Sequence, residues 1–319
     1  MLYSVALALA LLLMAAAAAL FAWTLRAKTR RARLCFFLPL GGGILALPIL
    51  YNLTHQPPLA VKIAFTIYCP LFAGKLLDLY INAAHWRTQP LIRWVAFIPS
   101  PFVLNHRRYL AERPRPRATN IRLLLRGMVQ IVAGLLLFHW ALGADIGRHG
   151  FWIDHTVKVF AVYLFALDGA WVLLSGALGL MGMHVMSYSI HPIVARTPAD
   201  FWRRYNREAG RFLFEDVYKP LRDRAPLRRA IFVTFLVNGL YHEYLAALLI
   251  GSVTGYQVAF FSLNGLAVAA THRLRPRGGW GLVAVAATIL FLLTSSALFF
   301  ANVDRVVPGW FYSRGSILP

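Results

Sequence analysis

The chain has 319 residues, of which 59% are hydrophobic, and a formal net charge of +21. Several apolar runs approach the roughly 20 residues that cross a bilayer as a helix, which excludes an ordinary soluble domain. We expect residues 1–319 to form a single integral membrane domain, an all-α polytopic bundle of about eight transmembrane helices plus interfacial or re-entrant helices. The expected spans are 3–23, 34–52, 59–82, 121–143, 157–183, 229–250, 256–271 and 280–302.

Two apolar segments near the start of the chain need separate interpretation. The segment 3–23 lacks the positive start of a secretory signal, and its apolar core is longer than the ~7–15 residues of such signals. We therefore predict a transmembrane helix there. The segment 91–104 is shorter and contains Pro99 and Pro101, which favours an interfacial or re-entrant segment.

The basic residues are distributed unevenly between the two sides of the predicted membrane domain. Most of the 33 Lys and Arg residues lie on one side, largely in the long connections 83–120 and 184–228. This asymmetry follows the positive-inside rule, so it predicts basic loops in the cytoplasm and both termini outside. Because orientation accounts for most of the charge, we do not interpret it as nucleic-acid binding. We expect an integral protein of the bacterial cytoplasmic membrane, surrounded by membrane lipids.

The other charged residues in or near the predicted spans have structural interpretations. Lys75 and Asp78 are spaced i, i+3 on one helix, a spacing that allows them to pair. Asp168 has no partner nearby in the sequence, which favours an interhelical bond to Lys75 or to a hydroxyl, ahead of a role in lining a site. The segment Arg113–Arg117 is expected to be a solvated, lipid-facing connector.

The connection 184–228 contains a predicted amphipathic helix at about 198–213. Thr197-Pro-Ala-Asp200 is typical of a helix start, with an N-cap, a proline and an acid in the first turn. At about 100° per residue, the aromatic residues share one arc and the arginines another, so the helix should lie in the inner interface. Asn206 lies at the edge of the aromatic arc, where its amide must find a hydrogen-bond partner.

A histidine and a glutamate interrupt the apolar span 229–250. Ionisable side chains are costly in hydrocarbon, so the pair His242 and Glu243 is a functional-site hypothesis by default. Asn238 lies one turn earlier on the same face and could fix the imidazole or line the site. Glu243 points about 100° away from His242 and is interpreted as the structural partner of a nearby arginine.

Three segments taken together resemble a known family. They are Thr197-Pro-Ala-Asp-Phe-Trp-Arg-Arg-Tyr-Asn206, Phe214-Glu-Asp-Val-Tyr-Lys-Pro-Leu221 and Asn238-Gly-Leu-Tyr-His-Glu-Tyr244. This set resembles the membrane-bound O-acyltransferases, in particular the wax-synthase-like branch. In that family a loop motif S/T-P-x-x-F-W-x-x-x-(N/H/D) precedes an intramembrane histidine by three to four dozen residues. Asn206 and His242 match those two positions.

The resemblance implies transfer of an acyl group from acyl-CoA to a hydroxyl acceptor such as a long-chain alcohol, with a wax ester as product. His242 would be the general base, because an imidazole titrates close to working pH. Asn206 would donate a hydrogen bond to the thioester carbonyl or orient the acceptor. The expected partners are acyl-CoA as co-substrate, a hydroxyl-bearing lipid or small-molecule acceptor, and membrane lipids. No other cofactor, no metal and no nucleic acid is expected.

The residues expected to bind substrate lie around these two positions. Arginines of the surface helix could receive the phosphates of coenzyme A, although lipid phosphates explain those arginines equally well. The expected substrate-binding residues are Asn238, Trp202, Tyr205, Arg203, Arg207 and Tyr241.

The same residues also bear on other classes of membrane protein. A di-iron desaturase needs histidines clustered at helical spacing, and a serine hydrolase needs G-x-S-x-G; the sequence has neither pattern. A transporter is expected to show paired broken spans or an internal repeat, and neither is visible. A transporter or a non-catalytic lipid-binding protein is the alternative to the enzyme.

Overall fold

The computed structural model describes residues 29–54, 57–90, 97, 103–105, 113–183 and 185–312, together with positions 16 and 20. Within these residues every regular element is helical. Two short 3-10 turns, at Ile146–His149 and Pro192–Val194, and two π-helical turns, at Leu213–Tyr218 and at Tyr163–Gly169 inside the helix α5 defined below, complete the set. The α-helices are α1 Arg30–Thr54, α2 Leu59–Ile81, α3 Ala83–Arg87, α4 Arg117–Gly143, α5 Phe151–Leu180, α6 Pro198–Arg204, α7 Arg207–Phe212, α8 Lys219–Arg222, α9 Leu227–Ile250, α10 Tyr256–Thr271 and α11 Gly279–Val306.

Six of these helices, namely α1, α2, α4, α5, α9 and α11, are long and apolar enough to cross a membrane. They confirm the predicted all-α polytopic fold. The predicted number of eight transmembrane helices differs from these six at two segments. The span 3–23 lies outside the described residues, and 256–271 forms a helix of only 16 residues, shorter than the roughly 20 that a bilayer requires. Most of the segment 91–104 also lies outside the described residues.

The chain divides into two compact units, one of residues 1–108 with 247–252 and one of residues 109–246 with 253–319. The single integral domain expected from the sequence stays a prediction, and each unit is described by itself. In the first unit, α1 and α2 pack together. Asn52 Nδ2 and Lys62 Nζ donate to the backbone carbonyls of Leu248 and Leu249, at 3.3 Å and 2.9 Å. These bonds satisfy carbonyls of the last turn of α9, which have no partner within the helix.

A polar cluster inside the first unit surrounds Asp78. Its carboxylate accepts hydrogen bonds from Asn82 Nδ2 at 2.8 Å, Trp86 Nε1 at 3.2 Å and Asn105 Nδ2 at 3.1 Å. Lys75 donates to the carbonyl of Phe97. Because an unpaired charge is very costly in a buried position, this set of donors lets Asp78 be fully buried.

In the second unit α4 and α5 pack with their backbones close together through glycines. A Cβ on Gly176 would lie 2.6 Å from the backbone nitrogen of Leu124, and one on Gly134 would lie 2.7 Å from the carbonyl oxygen of Ala161. Such contacts leave no room for a side chain. Small residues at helix contacts are typical of membrane proteins, where close packing replaces the hydrophobic effect.

The segment Arg113–Arg117 before α4 is exposed at four of its five positions, as expected of a solvated connector, and Arg115 is the exception. Arg115 donates to Asn120 Oδ1 at 3.0 Å, to Ser187 Oγ at 3.1 Å and to the carbonyl of Ser175 at 2.5 Å. A guanidinium has several donors in a fixed plane, so one side chain can connect α4, α5 and the following loop. The arginine therefore stabilises packing inside the unit.

Asp168 lies in a π-helical turn, Tyr163–Gly169, in the middle of α5, which begins six residues before the predicted start of this span. The carboxylate accepts from Arg126 Nη2 and Gln130 Nε2, both at 2.8 Å, and from the hydroxyl of Ser189. The hydroxyl partner expected from the sequence is confirmed. The arginine partner was missed, because α4 and α5 are brought together only by the tertiary fold.

Candidate active site

His242 lies on α9 where α9 and α10 approach closely. Gly239, one turn earlier, makes this possible: a Cβ there would lie 3.1 Å from the Cβ of Phe261 and 3.2 Å from the Cα of Val258. The missing side chain lets α10 pack directly against α9. The ring of Phe261 consequently stacks on the imidazole of His242.

The imidazole is surrounded by aromatic rings. The centroid of Phe261 lies 4.7 Å from that of His242 and is nearly parallel, while Phe299 of α11 and Tyr241 lie at 5.9 Å and 5.2 Å, edge-on. His242 is half-buried. Within the described residues neither ring nitrogen has a hydrogen-bond partner. Both nitrogens therefore remain available to a bound molecule.

Asn238 and Tyr241, both expected to bind substrate, lie close to the histidine on α9 and are half-buried. The imidazole was also expected to be fixed by Asn238. No hydrogen bond joins the two side chains, and within the described residues the amide of Asn238 has no other partner. If Asn238 acts at this site, it acts on a ligand and not on the ring.

Trp202 connects the surface helix α6 to the cluster around His242. Its Nε1 donates to Asn264 Oδ1 on α10 at 2.9 Å. Its ring lies 5.8 Å from Phe261 and 5.4 Å from Phe235 of α9. The tryptophan thus fixes the position of α6 against α9 and α10. It does so partly through Phe261, whose ring also stacks on His242.

The continuous helix predicted at 198–213 is wrong, because the chain breaks at Tyr205 and Asn206. Tyr205 is extended, and Asn206 adopts the left-handed conformation with φ of 40°. Asparagine tolerates this conformation better than most residues. Backbone hydrogen bonds hold both sides of the break, from Ile190 N to Arg204 O at 3.0 Å and from Arg207 N to Tyr188 O at 2.9 Å.

The break changes how Asn206 is used. Its Oδ1 accepts from Ala209 N at 3.4 Å and caps the start of α7. The amide group Nδ2 has no partner within the part of the chain that is described. Nδ2 is therefore the group that Asn206 can offer to a ligand. The adjacent phenol of Tyr205 is buried, which raises its pKa to about 12, and its ring lies 5.9 Å from Trp202.

The arginines predicted to bind substrate differ in their contacts. Arg207 Nη1 donates to the carbonyl of Ser187 at 3.0 Å, which ties this arginine to the protein. Arg203 lies on α6 with 58% of its side chain exposed and pairs with Asp200 at 3.1 Å. Burial raises the pKa of Asp200, but its bonds to Arg204 and to the backbone of Arg196 outweigh this and hold that pKa below its ordinary value.

Arg203 also lines a cavity of about 550 Å³ between the start of α6, the connection after α10 and the start of α11. Five arginines and one aspartate form its charged lining, so the cavity carries an excess of positive charge. These residues are Arg196, Arg203, Arg204, Arg275, Arg277 and Asp200.

Glu243 does not pair with an arginine, as was expected. Its carboxylate accepts from the backbone nitrogens of Thr254 and Gly255 at 2.8 Å and of Gln257 at 3.0 Å, and from the hydroxyl of Thr254 at 3.1 Å. These donors belong to the start of α10, whose first amides have no partner within the helix. Glu243 therefore caps α10 and fixes it beside His242.

Sequence analysis did not single out the second buried histidine, His155 on α5. Its Nδ1 lies 2.6 Å from the hydroxyl of Tyr312, and its Nε2 lies 2.9 Å from the carbonyl of Leu293 and 3.0 Å from Ser296 Oγ. Next to it, Lys158 pairs with Asp154 at 2.8 Å. An acid, a histidine and a base within one apolar span are the sequence signal that could have indicated this network.

Comparison with known proteins supports the resemblance drawn from the three segments. The sequence model of MBOAT, the membrane-bound O-acyltransferase family, matches residues 85–302. The chain is also similar to "Probable long-chain-alcohol O-fatty-acyltransferase 6" of Arabidopsis thaliana, with 26% identity over 275 residues that cover 79% of this chain and 72% of the relative. The match includes α6, α9, α10 and most of α11. The chain therefore belongs to the membrane-bound O-acyltransferase family and is an integral membrane O-acyltransferase.

Proposed function

We propose that this enzyme takes its acyl group from acyl-coenzyme A and transfers it to the hydroxyl of a long-chain alcohol, forming a wax ester. The observation that carries the proposal is the unbonded, half-buried imidazole of His242 within a cluster of aromatic rings. A histidine kept in a membrane-spanning helix without hydrogen-bond partners is costly unless it is used. The named long-chain-alcohol activity of the plant relative supports the class of acceptor.

In the proposed reaction an imidazole nitrogen of His242 accepts the proton of the alcohol as its oxygen attacks the thioester carbonyl carbon. A carbon–oxygen bond forms, and the carbon–sulfur bond breaks as the tetrahedral intermediate collapses. The imidazolium returns its proton to the departing thiolate. The products are the ester and free coenzyme A, and the histidine is regenerated. Neither metal nor redox partner is needed for this balance.

Asn206 is proposed to bind the thioester carbonyl, since its Oδ1 already caps α7 and only its Nδ2 can donate. A donor placed at that oxygen stabilises the charge that develops in the transition state. The contacts from Tyr205 to Trp202, from Trp202 to Phe261 and from Phe261 to His242 support this assignment, because they connect the break to the histidine through packed rings.

The arginine cavity next to α6 is proposed to receive the phosphates of coenzyme A, since guanidinium groups bind phosphate through paired hydrogen bonds. Arg203→Ala should then raise the KM for acyl-coenzyme A without changing the KM for the alcohol. Arg224→Ala removes an exposed arginine outside the cavity and serves as the control. Equal effects of the two changes would contradict the binding of coenzyme A phosphates in this cavity.

The orientation of the chain is part of the same proposal. Coenzyme A esters are cytoplasmic, and the positive-inside rule places the basic loops on that side of a bacterial cytoplasmic membrane. A cysteine introduced at Arg224 should react with a membrane-impermeant maleimide in inverted vesicles and not in intact spheroplasts. The reverse pattern would invert the topology.

The enzyme assay uses purified protein with hexadecanoyl-coenzyme A and hexadecanol, and follows both free thiol and ester. The wild type should form them in equal amounts, and His242→Ala should form neither. His139→Ala is the matched control, because it removes an exposed histidine from a membrane-spanning helix. Thiol release that is unchanged in His242→Ala would remove the assigned base. Thiol without ester would indicate a thioesterase.

A further inference from the structure

Asp168 in α5 is a buried carboxylate that the proposed reaction does not use. Its Oδ2 accepts from Arg126 and Gln130 of α4, and its Oδ1 accepts from the hydroxyl of Ser189. The bonds to α4 compensate part of the cost of burying the charge. The bond to Ser189 differs from them, because it leaves the pair of helices and reaches the loop 185–191.

This loop is held against the rest of the unit at three consecutive residues. The three bonds join Ser187 Oγ to Arg115 at 3.1 Å, the backbone nitrogen of Tyr188 to Ser175 Oγ at 3.0 Å, and the hydroxyl of Ser189 to Asp168. Tyr188 and Ser189 are buried, and the ring of Tyr188 lies 5.6 Å from that of Trp171 of α5. Buried polar groups that are satisfied in this way make the surrounding structure rigid.

The loop in turn holds the break between α6 and α7. Two backbone hydrogen bonds, made by the loop residues on either side of Ser189, meet the chain on either side of the break. They join Tyr188 O to Arg207 N at 2.9 Å and Ile190 N to Arg204 O at 3.0 Å. Asn206 lies in the break with φ of 40°, a conformation that persists where the surrounding structure fixes it. The residue that Asp168 holds therefore lies between the two bonds that fix the break.

A second observation also connects Asp168 to the break. Burial raises the pKa of the Tyr205 phenol to about 12; a hydrogen bond with Trp171 lowers this pKa, and the negative charge of Asp168 raises it. The effect of a charge on a neighbouring group falls off with distance. The carboxylate thus lies within electrostatic reach of the residue next to Asn206.

We propose that the hydrogen bond between Asp168 and Ser189 positions the amide of Asn206 for acyl transfer, which makes Asp168 a positioning residue. By fixing Ser189 the carboxylate fixes the break, and the break determines where Nδ2 of Asn206 lies. A donor to a developing oxyanion is effective only when it is held where that oxygen will be. The inference rests on the proposed function, because it requires Asn206 to bind the thioester carbonyl.

Ser189→Ala tests the proposal with a small change, because it removes the bond to the loop and leaves the bonds from α4 to Asp168. In the assay with hexadecanoyl-coenzyme A and hexadecanol, kcat per folded molecule should fall about tenfold, since a small displacement of a catalytic group slows the chemical step. Both KM values should stay within about twofold of the wild type, because the loss affects the transition state.

Ser295→Ala is the matched control. Ser295 is a buried serine of α11 whose hydroxyl donates to the carbonyl of Leu292 in its own helix at 3.3 Å. This change deletes a buried hydroxyl from the same unit without touching the loop, so kcat should equal that of the wild type. A wild-type kcat in Ser189→Ala, or an equal loss in Ser295→Ala, would overturn the proposal.

A double-mutant cycle separates positioning from a general loss of structure. Asn206→Asp keeps the oxygen that caps α7 and removes the Nδ2 donor, so kcat should fall about 10²- to 10³-fold. Adding Ser189→Ala to Asn206→Asp should cause no further loss, because the position of a missing donor has no effect on the rate. A tenfold loss in both backgrounds would show that Ser189 acts elsewhere and would overturn the proposal.

Hydrogen exchange of the full-length protein in detergent micelles measures the break without reference to activity. The amides of Ile190 and Arg207 donate the two bonds that fix it, so they should exchange about tenfold faster in Ser189→Ala, while α9 is unchanged. Asp168→Ala removes the same bond from the other side and should speed exchange at these two amides at least as much. Slower opening in Asp168→Ala than in Ser189→Ala would mean that Asp168 does not hold the loop.

The two measurements distinguish failure of this inference from failure of the proposed function. A wild-type kcat in Asn206→Asp would remove the role proposed for Asn206, and this inference with it. Unchanged exchange in Ser189→Ala, together with an impaired Asn206→Asp, would overturn this inference alone and leave the proposed function standing.

Discussion

Two histidines that are at least partly buried in membrane-spanning helices of the second unit, His155 and His242, differ in how their ring nitrogens are used. His155 is completely buried, and both of its nitrogens lie within 3.0 Å of hydrogen-bonding partners. His242 is half-buried, and within the described residues its ring nitrogens have no hydrogen-bond partner. The two side chains have the same chemistry, but only one is available to react.

The difference shows how an intramembrane histidine can be interpreted. A fully bonded imidazole repays the cost of its burial within the protein, so it stabilises the fold. An imidazole without hydrogen-bond partners adds no hydrogen bond to the folded state. Its presence in a membrane-spanning helix therefore points to a role in binding a ligand. Burial alone would have selected His155 as the functional residue, whereas its hydrogen bonds identify it as structural.

The largest expected difference between the two histidines is in turnover. His242→Gln keeps a polar side chain of similar size without its basicity, so kcat should fall about 10²- to 10⁴-fold, the usual contribution of a general base. The KM for acyl-coenzyme A should change little, because the loss affects the transition state. In His155→Gln, kcat per folded molecule should be close to the wild-type value. Equal losses of kcat in the two variants would end the distinction.

Stability should show the opposite order. His155→Leu leaves the buried hydroxyl of Tyr312 without a partner, whereas Ser296 Oγ and the carbonyl of Leu293 keep their bond to each other at 2.8 Å, so the free energy of unfolding should fall by about 2 kcal/mol. His242→Leu removes no hydrogen bond and should cost less than about 1 kcal/mol. Chemical unfolding in detergent micelles measures both. A larger loss for His242→Leu would contradict the structural role of His155.

The residue next to His242 sharpens the comparison. Glu243→Gln weakens charge-assisted bonds to the first turn of α10, so stability should fall by about 2 kcal/mol while kcat per folded molecule is retained. The measurement combines an unfolding curve with an active-site titration. A fall in kcat as large as that of His242→Gln would make Glu243 part of the chemistry.

The smallest expected effect is a dependence of stability on alkaline pH. Burial, and the nearby charges of Asp304 and Asp154, raise the pKa of the Tyr312 phenol above its ordinary value. The unfolded chain therefore loses this proton first. Stability should be constant below the unfolded pKa of about 10 and should fall by up to about 1.4 kcal/mol per pH unit above it.

Tyr312→Phe tests that dependence. The variant should be less stable at neutral pH, because it loses the bond to His155, but its stability should decline less steeply between pH 10 and pH 11. Tyr80→Phe provides a tyrosine control in the first unit. An unchanged alkaline slope in Tyr312→Phe would show that other groups cause the decline.

Much of the fold could be predicted from the sequence, because membrane-spanning helices depend on length and hydropathy. The predicted spans that become α4, α9 and α11 match the structure closely. The start of α5 was placed too late, since Asp154 and Lys158 lower the local hydropathy but pair with each other at 2.8 Å. A hydropathy value does not show whether a charged side chain is paired with an opposite charge.

The site was less predictable in its local geometry. The helical wheel assumed a regular backbone through Asn206. The break is instead favoured by backbone hydrogen bonds that join Arg204 and Arg207 to Ile190 and Tyr188 in the preceding loop. An asparagine followed two residues later by an acid is a helix-start pattern, and it could have indicated a new helix beginning at Arg207. The cap made by Glu243 and the π-helical turn in α5 depend on tertiary contacts that the sequence does not display.

The π-helical turn at Tyr163–Gly169 has a consequence for how this chain can change in length. A π turn contains one residue more than an α turn. A one-residue insertion into an α-helix can therefore be accommodated as a π turn. Deleting one residue from this turn would restore a regular helix and rotate Asp168 by about 100° relative to one of its flanking halves. The Arg126–Asp168 pair could then survive only if the far half of α5 turned on its axis, which its glycine contacts with α4 oppose. This helix can therefore lose a residue only by losing either its ion pair or its packing.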